Sequence, residues 1–155
     1  MTGREFLSVD RGDRGSAAVE FIAIGVLLMV PLVYLVIALG RVQAASFAAD
    51  SSAREAARAF VTAVDEEEGR RRAVVAARLG LRDHGFTDPR DAELTLECET
   101  PIACLTPGDQ VLVRVELRVA LPGAPRFVDR QFTTGVTVRA KHAAVVDQFR
   151  TVGRG

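Results

Sequence analysis

FIAIGVLLMVPLVYLVIAL, residues 21–39, is an uncharged apolar run of 19 residues. As an α-helix rising about 1.5 Å per residue, it is long enough to cross a hydrocarbon core of roughly 30 Å. Gly25 and Pro31 lie inside it. Both are tolerated in membrane helices, and Pro31 is expected to bend this one. Tyr34 sits toward the C-terminal end, where an amphipathic ring can approach the interface. A cleaved secretory signal has an apolar region of only about 7–15 residues, followed by a small-residue cut site. Ala38, Gly40, Ala44, Ala45 and Ser46 supply small residues after this run, but its length favours a retained anchor. Arg11 and Arg14 flank one end and Arg41, Arg54 and Arg58 follow the other, so charge bias leaves the orientation open.

The rest of the chain has a different character. The protein has 155 residues and a formal net charge of +0, with 48% hydrophobic and 26% charged residues. Those two fractions are segregated along the chain. Charge balance argues against nucleic acid as a partner, because such proteins carry a basic surplus or stripe. With no Trp, one Tyr and two His, aromatic stacking platforms and His-rich metal sites are nearly excluded. Residues 1–15 form a polar leader. Arg4, Arg11 and Arg14 are balanced there by Glu5, Asp10 and Asp13, with too little apolar surface to offset the entropy of ordering. Residues 16–40 hold the hydrophobic helix, 41–90 a helical stalk and second helix, and 91–155 a β-rich region.

Beyond the apolar run, Val42, Ala45, Ala49, Ala53, Ala56 and Phe60 recur at spacings of three and four. Such spacing marks one helix face, and Ala is the best helix former. One helix is therefore expected to extend to about Val64, with Ser51, Ser52, Arg54, Glu55 and Arg58 on its wet side. The run Asp65-Glu66-Glu67-Glu68-Gly69-Arg70-Arg71-Arg72 reads as the solvated start of a second helix. Acids precede bases there, as the helix dipole favours. Glu66–Arg70, Glu67–Arg71 and Glu68–Arg72 are i,i+4 pairs in the favourable order. Val74, Ala77, Leu79 and Leu81 form its expected apolar face, and it should stop near Gly85, with His84 a capping or surface residue.

From Asp91 the period falls to two. Leu94, Leu96 and Cys98 alternate with polar residues. So do Val111, Val113, Val115, Leu117, Val119 and Leu121, and again Phe132, Thr134, Val136, Val138 and Ala140. These are half-buried antiparallel strands. Thr106-Pro107-Gly108-Asp109 and Leu121-Pro122-Gly123-Ala124-Pro125 supply turn chemistry between them. Residues 143–149 fit either a strand extension or a terminal helix. Three strands leave one apolar face to cover, and the preceding helices are the available cover. The expected fold class is α+β: a long N-terminal transmembrane helix continuing into a helical stalk, with a small C-terminal antiparallel sheet domain.

Cys98 and Cys104 are the only cysteines. In an oxidising compartment they would close a short loop between strands; in a reducing one they would remain thiols. Two thiols without a nearby His make a poor metal site, and the spacing is not Cys-x-x-Cys. No Gly-rich phosphate loop, His-Glu-x-x-His or Gly-x-Ser-x-Gly occurs. His142 lies in a strand pattern and reads as a surface residue. No enzyme, cofactor, metal or small-molecule substrate is expected.

The junction before the apolar run reads Asp13-Arg14-Gly15-Ser16-Ala17-Ala18-Val19-Glu20-Phe21. It resembles the processing site of type IV prepilins, especially the TadE-like minor pseudopilins of tight-adherence (Flp/Tad) pili. In that family a polar leader ends in Gly, a prepilin peptidase cuts after it, and the fifth mature residue is Glu, usually followed by an aromatic. The resemblance implies Gly15 and Ser16 as the processing site and Glu20 and Phe21 as assembly residues. It is sharp over residues 14–41 and looser beyond. It further implies a structural or assembly subunit rather than an enzyme. The implied partners are the membrane, prepilin peptidase, other pilins or pseudopilins and the pilus assembly machinery. The cell membrane is then crossed once, with the N-terminus cytoplasmic and the C-terminal domain extracytoplasmic. The alternative is a generic single-pass anchored domain that binds a partner outside the membrane.

Overall fold

Helix α1, Asp13–Val61, carries the apolar run and the alanine stripe in one element, with Pro31 inside it. This computed structural model describes residues 13–88, 90–101, 103–121 and 135–150, with side chains from residue 17 onward. Residues 1–12 of the polar leader, the turn at Pro122-Gly123-Ala124-Pro125 and the expected strand start at Phe132 and Thr134 lie outside the described residues. The chain separates into two units, Met1–Ile37 and Ala38–Gly155.

In the second unit α1 is followed by α2 (Glu66–Asp83) and by strands β1 (Ala92–Cys98), β2 (Gln110–Ala120) and β3 (Gly135–Val145). The sheet is antiparallel in the order β1-β2-β3. The α+β class and the order of elements follow the sequence. The ambiguous residues 143–149 resolve as strand through Val145, a buried Val146 and a turn.

The core forms because two helices shield one sheet face. Val111, Val113, Val115, Leu117 and Val119 of β2 are all buried. Ala56, Ala57 and Phe60 of α1 join Ala73 and Ala77 of α2 over Val111 and Val113. Ala49 and Ala53 meet Val115, with Val138 and Ala140 of β3 beside them. Ala45 and Ala48 close the other end with Leu81, Leu117 and Val119. Phe60 is the largest fully buried side chain. Alanines otherwise fill α1's inner face, which brings its backbone close to its neighbours.

That closeness accounts for three departures from expectation. Ser52, expected on the wet side, is fully buried, and its hydroxyl has no hydrogen-bond partner among the described residues. It faces Gly80 of α2, where an added Cβ would lie 2.6 Å from the Ser52 Oγ. Gly69 is likewise buried against Phe60. The inner face of α2 is therefore Gly69, Ala73, Ala77 and Leu81, while Leu79, expected inside, is 53% exposed. A close crossing selects small residues and turns the larger ones outward.

Both ends of α2 are capped. The Asp65 side chain accepts a hydrogen bond from the Glu68 N–H at 2.8 Å, satisfying one of the open donors of the first turn. At the other end Gly85 has φ +80. Its N–H donates to the Arg82 carbonyl, and the Phe86 N–H donates to that of Leu81. This is a Schellman closure, with Phe86 packed beside Leu81 as its apolar contact. The Arg41 guanidinium lies 4.4 Å from the centre of the Phe86 ring.

Candidate functional site

The expected processing residues, Gly15 and Ser16, lie in the first turn of α1. The first four N–H groups of a helix have no acceptor within it. Opening the chain here therefore breaks few backbone hydrogen bonds. Ser16 and Glu20 are four residues apart, hence on one face and about 6 Å apart along the axis. Glu20 is exposed, and Phe21 is 78% exposed. From Val19 to Leu39 the large apolar side chains are all exposed. A helix that is apolar all round needs an apolar environment, either lipid or other helices. The span within α1 has a mean hydropathy of 2.9. It is one N-terminal apolar helix compatible with single-pass anchoring.

The second candidate feature, in the other unit, is the loop closed by Cys98 and Cys104. Their sulfurs are bonded at 2.02 Å. Cys98 ends β1, and Cys104 is buried among Phe60, Ala73, Val111 and Val146. The Cys104 N–H donates to the Glu66 Oε1 at 2.7 Å. Glu66 therefore faces the loop rather than pairing with Arg70 as expected. Glu67 and Glu68 do take their expected partners, Arg71 and Arg72, and Glu68 also holds Arg71. The carboxyl of Glu68 is held below the usual range, first by its hydrogen bond from Arg71 and then by that from Arg72.

The sequence reading missed two long-range contacts. Besides Glu66, the Arg150 guanidinium donates to the carbonyls of Val61 and Val64, at and just beyond the end of α1. No local pattern announces either contact, because the partners lie 38 and more than 80 residues apart. His84 is the exposed C-cap of α2. His142 is half-buried on the inner row of β3, opposite Val113, rather than at the surface. Among the described residues no group of three or more His, Cys, Asp and Glu is placed to hold a metal.

No curated protein and no solved structure matches this chain. A family match does exist, and it falls on the segment where the junction, the apolar run and the alanine stripe follow one another. Residues 15–58 match the family described as TadE-like protein, so over that segment, from Gly15 to Arg58, the chain is similar to that family.

Proposed function

We propose that this protein is a minor pseudopilin of a Tad/Flp-type pilus: a structural or assembly subunit, not an enzyme, made as a precursor with residues 1–15 as leader. Prepilin peptidase cuts between Gly15 and Ser16. Residues 16–40 then anchor the chain in the cell membrane, with the N-terminus cytoplasmic. Residues 41–90 and 91–155 form the extracytoplasmic stalk and β-rich part. The observation that carries this reading is one register: Gly15, Ser16, Glu20 and Phe21 stand at the start of an exposed apolar helix, inside the segment that matches the TadE-like family.

The chemistry explains why such a register is useful. A carboxylate at the edge of a span is tolerated, whereas a charge at the helix centre costs about 2.5–3.5 kcal/mol on insertion scales. Packing α1 among other helices makes an unpaired Glu20 more expensive. Cutting after Gly15 creates an amine on Ser16, mostly cationic at neutral pH because its ordinary pKa is about 8. That amine, on the same helix or a neighbouring one, is the natural partner for Glu20. The leader withholds it until cleavage, which couples processing to assembly.

The test is co-expression with an active prepilin peptidase, followed by intact-mass analysis of membrane fractions. The expected mature chain begins at Ser16, and Gly15→Leu remains uncut. An uncut chain beside active peptidase, or a start after Leu39, would overturn the proposal and leave an anchored extracytoplasmic binding domain.

A further inference from the structure

Among the described residues the sheet has two free edges, β1 and β3, and they differ in charge. Its helix-free face carries Glu93, Thr95 and Glu97 on β1 and Thr137, Arg139 and Lys141 on β3, all exposed. Within the chain, Arg114 of β2 reaches Glu97 at 3.2 Å, and Arg139 reaches Glu116 of β2 at 2.8 Å. Three charges are left over: Arg118 of β2, which lies diagonally from Glu93, and one on each edge strand. Glu93 lies directly opposite Glu116, and Lys141 lies directly opposite Arg114. Neither has an ion-pair partner among the described residues. Like charges directly across a ladder are unfavourable. Each edge strand thus holds an acid or a base that faces a like charge across the ladder and has no ion pair among the described residues, and the two are of opposite sign.

The backbone and the inner row point the same way. The Arg118 N–H donates to Asp91 and the Glu99 N–H to Gln110, just beyond the two ends of β1. This phase directs the odd residues of β1 toward β2. It leaves the N–H and C=O groups of Leu94 and Leu96 on the free edge. A groove of about 450 Å3 runs beside that edge between β1 and α2, with Val74, Ala77, Leu81, Phe86 and Leu94 in its wall. On the opposite edge, β3 presents Val136, 38% exposed, on its inner row. A β3 strand laid against β1 therefore brings apolar side chains to the groove and basic ones to the acidic row.

We propose that β1 of one copy pairs with β3 of a second copy, Glu93 meeting Lys141, so that the sheet continues from chain to chain. β1 and β3 both run antiparallel to β2, so the contact between copies in the same orientation is a parallel one. The two surfaces are different, which makes the interface heterologous. Each added copy leaves one β1 and one β3 edge open, and the array does not close at two. The pairing uses neither the leader nor Glu20, so it stands or falls separately from the processing scheme.

Lys141 is the only lysine in the chain, which makes a zero-length carbodiimide crosslink between a carboxylate and an amine easy to interpret. The full chain, as an equal mixture of 14N and 15N protein in lipid vesicles, is expected to give a ladder of dimers, trimers and larger species. Mixed-isotope peptides should join Lys141 to Glu93. Glu93→Lys places a base opposite Glu116 within its own sheet, so it should unfold at the wild-type temperature or above it, yet lose the ladder. The double variant Glu93→Lys/Lys141→Glu should restore the ladder through the exchanged pair. The proposal is overturned by no ladder, by a ladder that ends at dimers, by intermolecular links from Lys141 to carboxylates off β1, or by a ladder that Glu93→Lys leaves intact.

Discussion

The crossing of Ser52 over Gly80 makes a quantitative prediction about two small residues at a helix contact. An added methyl on Gly80 would stand 2.6 Å from the Ser52 Oγ, 3.3 Å from its Cα and 3.4 Å from its Cβ. Alanine is the better helix former by about 0.8–1.0 kcal/mol, but overpacking costs roughly 1–3 kcal/mol. Gly80→Ala should therefore destabilise by about 1 kcal/mol. Ser52→Ala removes a buried hydroxyl that has no partner. An unsatisfied buried group costs about 1–3 kcal/mol, so this variant should stabilise by about 1 kcal/mol. In the Ser52→Ala background the worst contact of the new methyl is gone. The remaining ones need adjustments of only tenths of an ångström, so Gly80→Ala becomes nearly neutral. The coupling between the two changes is then about 1 kcal/mol, beyond the roughly 0.3–0.5 kcal/mol within which independent sites add. Scanning calorimetry of the full chain in mild detergent would measure it as shifts of about 2–8 °C per kcal/mol. Additive single effects, or a Gly80→Ala variant more stable than wild type, would refute the close crossing.

Three further outcomes follow from other features. Glu20→Gln should insert normally but fail to co-assemble, read as crosslinking to the major pilin or as pilus yield; wild-type yield would leave Glu20 as an ordinary interfacial residue. The Cys98→Ser/Cys104→Ser variant should lose about 2–3 kcal/mol by the loop-entropy argument, while thiol labelling of unreduced native protein should find no free sulfhydryl. The Glu68 carboxyl should titrate below the ordinary glutamate range, and Arg71→Ala should raise it, as followed by NMR. Because its folded pKa is lowered, its contribution is present above the unfolded pKa and is lost as the pH falls through the folded one.

The parts legible in the sequence were those governed by a local period. The uncharged 19-residue run and the alanine spacing specified α1, and strict alternation specified β2. Gly15, Glu20 and Phe21 stand out in the sequence because their register to the span is itself a pattern. The inner face of α2 was misread because apolar size served as the signal for burial. At a close crossing the order reverses, so Gly69 and Ala73 go inside while Val75 and Leu79 go out. Ser52 was misassigned for a related reason. Helix α1 meets both α2 and the sheet, so its covered arc is wider than a single stripe and takes in a polar position. Glu66 was assigned to Arg70 because only its own helix was visible, whereas the amide it accepts from belongs to Cys104. The end of β3 was ambiguous because Ala143 and Ala144 suit a helix as well as a strand.

The contact of Arg150 with the end of α1 bears on when this protein can finish folding. Helix α1 is made first, yet the carbonyls of Val61 and Val64 receive their donor from a side chain 89 and 86 residues later. Strand β3, which precedes that arginine, is also needed to complete the sheet over α1. A chain emerging from its N-terminus therefore exposes the alanine face and an open helix end until residue 150 has been synthesised. Completion of the second unit then waits for Arg150, and a product that stops before it would carry an unsealed helix end.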